Sequence, residues 1–463
     1  MKSKPRNSRL AVSPARAAAF DILLRIERES SYASELLHSH TYDRLTPINH
    51  SLTTELVMGV LRWRSLLDSQ IAKSSAQPLS KLDLEVLTAL RLATYQLLYL
   101  DRIPASAAIN ESVELVKCAR KRSAAPFVNA VLRKFASGTS INQDIRQLAS
   151  SHASAETISA SSAHPRWLVE RWIQAYGPEV TLKLCHYNQS IPRAAIRLRS
   201  PDAEDQLRAV GIELAPGNLL SSARKVLNGD VSGTRAFREG FCVIQDEASQ
   251  LVAAFVGRGA RLLDCCAAPG GKTRAIADRN LNAEIAAVEL HPHRARLLQK
   301  LLRVDHSNTD GSRRIHVIAS DARNLPFTAK FDRVIADVPC SGTGTLSRNP
   351  EIKWRLVPAD LTDLQARQRA ILSSAMGYVA AGGRLIYSSC SLEKEENEDV
   401  IERALAENSS FRLLDCRAEL DRLLQEGELI WPDVASLTRG PFLRTLPGLH
   451  PCDGFFAGIV EKI

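Results

Sequence analysis

The sequence predicts a multidomain α + α/β chain. An all-α bundle comes first, then a small mixed α/β region, then a C-terminal α/β domain on a mainly parallel sheet. Three observations carry this. From about residue 14 to 137 apolar residues recur at three- and four-residue intervals, with almost no strand signals among them. After Gln245 short apolar runs alternate with amphipathic stretches, the pattern of strands joined by crossover helices. Between the two lies a Ser- and Ala-rich stretch that includes Ser150-Ser151-His152-Ala153-Ser154. With 463 residues, 45% of them hydrophobic, the chain is long enough for two or three domains with cores of their own.

The elements follow in order. Residues 1–13 carry Lys2, Lys4, Arg6 and Arg9 without an acid or a long apolar run, and are expected to form a disordered basic arm. Residues 14–137 hold the helices. One runs through Leu56, Val60 and Leu67; another, capped by Ser80, through Leu82, Val86, Leu87, Leu90 and Tyr95. A third lies near Ile109–Lys117 after Pro104, and a last one is marked by Phe127, Val128, Val131 and Leu132. Residues 138–163 read as a linker. His164-Pro165-Arg166-Trp167 opens the small α/β region, 164–240, with a strand at Ala194–Leu198. In the last domain, 241–463, strands are expected at Arg261–Asp264, Ala286–Leu290, His316–Ala319, Arg333–Asp337 and Gly383–Ser388.

Composition narrows function. Sixty Lys+Arg against 51 Asp+Glu give +9, unevenly spread: 21 basic and 14 acidic side chains before residue 161, 39 and 37 after it. A basic front suggests an anionic partner, nucleic acid first. No uncharged apolar run approaches the ~18 residues of a membrane helix, so no membrane partner is expected. Nine cysteines, with no Cys-x-x-Cys pair and no His cluster, suit neither a disulfide scaffold nor a metal site. A reducing cytoplasm is expected.

Ligands of parallel sheets sit beyond the C-terminal strand ends, which directs attention to Asp264, Glu289, Asp321, Asp337 and Cys390. The first strand runs into Cys266-Ala267-Ala268-Pro269-Gly270-Gly271-Lys272-Thr273, small residues that let backbone approach a ligand at a helix start. A phosphate-binding P-loop would need Gly where Cys266 stands, which disfavours an RNA-dependent ATPase. Glu289, 25 residues after Asp264, can accept ribose hydroxyls, and Asp321 an adenine amine. Together these describe a nucleoside pocket without a pyrophosphate clamp. Two thiols, Cys340 in Asp337-Val338-Pro339-Cys340 and Cys390 in Ser388-Ser389-Cys390-Ser391, then face one crevice. A thiolate adding to carbon 6 of cytosine makes carbon 5 nucleophilic, with Asp337 at N3 and S-adenosylmethionine as methyl donor. Chemistry alone favours Cys340 as that thiolate. A cysteine by itself is more often a small buried hydrophobe. Arg348, Lys353 and Trp354 combine charge with an aromatic and could grip RNA, though a packed surface loop is the plain alternative. Gln365, Gln368 and the run Glu395-Glu396-Asn397-Glu398 read as helix-surface or capping residues.

The run from Gln245 to Phe456 resembles the NOL1/NOP2/Sun RNA cytosine-C5 methyltransferases. The matching pieces are the 266–273 loop, Asp337-Val338-Pro339-Cys340-Ser341-Gly342, Arg348-Asn349-Pro350-Glu351-Ile352-Lys353-Trp354 and Tyr387-Ser388-Ser389-Cys390-Ser391. The front resembles the NusB-like RNA-binding domain through Arg16-Ala17-Ala18-Ala19-Phe20-Asp21-Ile22-Leu23 and Phe127-Val128-Asn129-Ala130-Val131-Leu132-Arg133. The resemblance implies a Rossmann-like methyltransferase domain and transfer to a cytosine of small-subunit (16S) ribosomal RNA. A monomer is expected. It also implies Cys390 as nucleophile, Cys340 as the thiol that assists release, and Lys272 as a residue ordering the site through acids. The rival reading is a non-enzymatic ribosome-assembly factor with a degenerate cofactor pocket.

Overall fold

The computed structural model describes residues 12–29, 31–138, 154–303 and 314–463, so most of the expected basic arm and linker lie outside the described residues. Two compact units emerge. The first takes the residues up to Ser190 together with Leu346–Arg355; the second takes Ile191–Thr345 and Leu356–Ile463.

The first unit is helical. α1 (Pro14–Glu29), α2 (Pro47–Ser74), α3 (Leu84–Tyr99), α4 (Ala105–Cys118) and α5 (Ala125–Gly138) build its main core. Ile22, Leu56, Leu67, Leu90 and Leu132 are fully buried in it, each such burial contributing about 1.5–3 kcal/mol. Helix starts follow local chemistry. Thr46 Oγ1 accepts from Asn49 N at 3.4 Å ahead of α2, and Pro47 sits in its first turn. Ser80 is not a helix cap: it lies in a 3₁₀ turn, Leu79–Lys81, and the extended Leu82 separates that turn from α3. α6 (Ala155–Ser162), which Ser154 caps, α7 (Arg166–Tyr176) and α8 (Pro178–Gln189) also belong to this unit. The expected boundary at residue 164 therefore falls inside a helical block, and the mixed α/β character begins only with the next strand.

The second unit holds two sheets. β1 (Ala195–Leu198), β2 (Glu213–Pro216), β3 (Ala223–Asn228) and β4 (Cys242–Ile244) pair antiparallel in the order β2-β3-β1-β4. After α9 (Glu247–Phe255) comes the larger sheet. Its parallel part is β5 (Arg261–Asp264), β6 (Glu284–Glu289), β7 (Arg314–Ala319), β8 (Phe331–Asp337) and β9 (Val379–Ser389), ordered β9-β8-β5-β6-β7. α10 (Gly271–Arg279), α11 (Pro292–Arg303) and α12 (Asp360–Met376) lie between these strands in sequence. All five expected strands are present. Ile285, Ala286, Ala287 and Val288 of β6 are all buried, as a parallel strand covered on both faces requires. Beyond β9 come α13 (Glu398–Glu407), β10 (Phe411–Leu414), α14 (Cys416–Gln425), β11 (Thr438–Arg439), β12 (Phe442–Thr445) and β13 (Phe455–Lys462). β13 pairs antiparallel with β9, and β12 and β10 pair with β13. Parallel alignment brings Asp264, Glu289 and Asp337 to one edge of the sheet.

Candidate active site

A cavity of about 610 Å³ opens at that edge, lined among others by Cys266, Ala268, Glu289, Asp321, Asp337, Cys340 and Cys390. Seven residues singled out from sequence, scattered over 125 positions, thus meet in one place. Ala267, Pro269, Gly270, Gly271 and Lys272 do not line it. Ala267 packs with Ala287 and Leu298 under the loop, and Gly270 turns the chain with a φ of +110°. A side chain at Gly270 would strike Leu298 Cδ1 at 2.6 Å.

Asp264 closes β5 and holds the loop from beneath, accepting from Thr273 Oγ1 at 2.7 Å and Cys266 N at 3.3 Å. Burial, with the neighbouring charge of Asp337, lifts its pKa to about 6. Lys272 reaches Asp337 Oδ2 at 2.8 Å, and Ser388 Oγ donates to Asp337 Oδ1 at 2.7 Å. Both carboxylate oxygens are thereby oriented. Burial pulls the Lys272 ammonium down, but Asp337 foremost, with Cys390 and Asp264, outweighs it and the net displacement is upward. Lys272 stays charged beside the thiols.

Cys340 Sγ and Cys390 Sγ stand 3.2 Å apart. The hydrogen bond to Cys390, and then burial, push the Cys340 thiol well up. Cys340 keeps its proton and can donate it to the Cys390 sulfur. The loops carrying them are joined by residues that sequence reasoning missed. Glu396, read as a surface acid, is 0% exposed and accepts from Ser341 N at 2.8 Å, from Gln368 Nε2 at 2.9 Å, and from the hydroxyls of Ser341 and Ser391. Gln368, also read as a surface residue, is 0% exposed and donates to Pro339 O at 3.0 Å. Asn397 Nδ2 donates to Ser391 O at 2.9 Å. The acidic run is a clasp, not a solvated face.

Elsewhere in the lining, Glu289 is 6% exposed; Oε1 accepts from His291 N at 3.0 Å, while Oε2 takes no hydrogen bond among the described residues. A buried acceptor of this kind suits ribose hydroxyls. Asp321 is engaged by Arg323, whose hydrogen bonds lower its pKa, so it meets a ligand only with that arginine beside it. Leu364, Arg367 and Ile371 of α12 complete the lining from one helical face, three and four residues apart. Their spacing was visible, but nothing local said what that face covers.

Lys353 and Trp354, expected to grip RNA, are structural. Lys353 is 1% exposed and donates to Arg62 O at 2.8 Å and Ala163 O at 2.9 Å within the helical unit; Trp354 Nε1 donates to Leu61 O at 2.6 Å. Arg348 is half-buried on the same segment. An ammonium turned onto buried carbonyls is not presented to phosphate. Among the described residues no group of His, Cys, Asp and Glu could hold a metal ion, and no helix is long and apolar enough to cross a membrane.

Residues 256–461 match the family model of the 16S rRNA methyltransferases RsmB/F, and residues 13–137 match the NusB family. The chain is 34% identical to the probable ribosomal RNA small subunit methyltransferase B of Bacillus subtilis, over 96% of this chain and 98% of that protein. It is 33% identical to the probable counterpart of Synechocystis sp., over 97% and 99%. The crystal structure of PH0851 has the same fold, with a TM-score of 0.77 at 22% identity over 97% of this chain and 99% of that one. The chain thus belongs to the RsmB/F family of S-adenosylmethionine-dependent ribosomal RNA methyltransferases, with a NusB-family domain at its front.

Proposed function

We propose that the chain methylates carbon 5 of a cytosine in small-subunit ribosomal RNA through a covalent thiol adduct. The observation that carries this reading is the pair of sulfurs 3.2 Å apart in the lining of the cavity, beside the Lys272–Asp337 pair. Glu289, Asp321 and, from the loop, Cys266 and Ala268 line the cavity and would hold the donor; S-adenosylmethionine, when bound, supplies an electrophilic methyl group. Cys390 adds to carbon 6, forming an S–C bond and driving electron density to carbon 5. A proton relayed from the Lys272 ammonium through Asp337 to N3 neutralises the negative charge that develops there. Once carbon 5 carries the methyl group, its proton passes to a water molecule, the C5=C6 double bond re-forms and the S–C bond breaks; Cys340, protonated and hydrogen-bonded to Cys390, steadies the departing thiolate. The target base must leave its stack to reach these groups. Every residue named comes from one chain, so a monomer suffices, and free thiols suit a reducing cytoplasm.

The test is methyl transfer to a small-subunit ribosomal RNA fragment, followed by bisulfite sequencing. Cys390→Ala abolishes 5-methylcytosine, and Cys340→Ala accumulates a covalent protein–RNA adduct visible on a denaturing gel. Wild-type methylation by Cys390→Ala would overturn the reading.

A further inference from the structure

Near the N-terminal ends of β8 and β9, away from the edge that carries the thiols, the second unit holds another cavity, of about 630 Å³. Six arginines line it, Arg197, Arg258, Arg279, Arg333, Arg384 and Arg422, against four carboxylates. The carboxylates are already engaged. Asp278 pairs with Arg197 at 2.8 Å and Arg199 at 2.7 Å, Glu428 with Arg279, and Glu419 and Glu426 with Arg422.

What remains is excess positive charge at fixed positions. Arg333 and Arg384 are partners in register on parallel strands, although like charges facing across a sheet disfavour the pairing. Arg384 reaches Glu461 at 3.4 Å and Glu419 at 3.9 Å. Arg333 donates only to a backbone carbonyl, Asp332 O, at 2.8 Å among the described residues. Arg258, between Gly257 and Gly259, is exposed and makes no ion pair among the described residues. Burial lowers the pKa of Arg333 and of Arg279, and the strongest charged neighbour of each is another arginine, Arg384 and Arg422. The acids around the cavity therefore do not balance it. Gln250 lines the same space, is 3% exposed, and its Oε1 receives no hydrogen bond among the described residues.

We propose that this cavity binds a phosphate-bearing anion, with Arg258, Arg333 and Arg384 holding the phosphate and Gln250 accepting from a ligand hydroxyl. Guanidinium forks match phosphate oxygens, and the volume admits a group of nucleotide size. Two sources present this chemistry: the backbone of a bound RNA, or a free nucleotide or polyphosphate.

Calorimetric titration of the full chain with inorganic triphosphate, alongside binding of a ribosomal RNA fragment at several salt concentrations, separates them. Triphosphate binding weakens about tenfold in Arg258→Gln and in Arg333→Gln, as loss of a charged hydrogen bond implies. If RNA is the occupant, triphosphate competes with it and the slope of log affinity against log salt falls by about 1 for each arginine removed. If a free ligand is, triphosphate binding falls while RNA affinity and slope stay unchanged. Equal triphosphate and RNA binding by wild type and both variants overturns the proposal. Arg258 lies on an exposed turn, so Arg258→Gln carries the test should Arg333→Gln fail to fold.

Discussion

Asp264 shows how burial, ahead of any neighbouring charge, sets a residue's behaviour. Its pKa is raised from 3.8 to about 6, so between those values the folded chain holds a proton that the unfolded chain has released. The fold is therefore weakened as pH rises through that interval, and the penalty is complete above it. Asp264→Asn keeps an acceptor for Thr273 and removes the charge. The variant melts several degrees above wild type at pH 8, with the gap closing by pH 4; thermal melts across that range check it. The residues at strand ends could be read from sequence, because each follows an apolar run that identifies it. Glu396 and Gln368 could not. Their partners are 55 and 28 positions away, and nothing in an acidic run says that a serine hydroxyl and a glutamine will meet it inside the protein.

The clasp between the two thiol loops and the segment Leu346–Arg355 each make a sharper claim than any single residue. In Glu396→Gln the amide oxygen can keep the position that accepts from Ser341 N and Gln368 Nε2, but an NH2 then replaces the oxygen that accepts from the Ser341 and Ser391 hydroxyls. Both hydroxyls lose their acceptor and must turn, and the loop carrying Cys340 shifts from the loop carrying Cys390. A displacement of about 1 Å at reacting groups can lower the rate about 100-fold. Single-turnover methyl transfer falls by roughly that factor in Glu396→Gln, while the dissociation constant for S-adenosylmethionine, whose cavity Glu396 does not line, stays within about twofold. In the segment, Lys353→Met keeps the apolar stem but abandons the carbonyls of Arg62 and Ala163. Stability drops by about 1–3 kcal/mol in urea titration, with no change in the salt slope of RNA binding. A changed slope would return Lys353 to an RNA-gripping role. Strands were readable here because parallel strands buried on both faces appear as unbroken apolar runs. The fate of residues 346–355 was not, since charge beside an aromatic looks alike on a surface and in a packed joint.

The whole chain pairs a basic front with a nearly neutral remainder, +7 before residue 161 and +2 after it. Composition alone pointed to nucleic acid, and membership of a ribosomal RNA methyltransferase family agrees with it. RNA affinity falls by about 100-fold or more between 50 and 200 mM salt, and S-adenosylmethionine affinity hardly moves; fluorescence anisotropy and calorimetry over the same series check the contrast. Domain classes were accessible from periodicity, which is a local property. Membership of each unit was not, because contacts assign α7 and α8 to the helical block and not to the sheet that follows them.

The helical unit is also discontinuous in sequence, and that has a consequence for how the protein is made. Its last segment begins at Leu346, 156 positions after Ser190. At translation rates of ~5–20 residues per second, the nascent bundle waits about 8–30 s before Lys353 can fill the carbonyls of Arg62 and Ala163. Until then those groups must stay hydrated, so the bundle emerging from the ribosome is an incomplete body. Pulse-chase proteolysis of stalled chains would find it more easily cut before residue 355 has emerged than after.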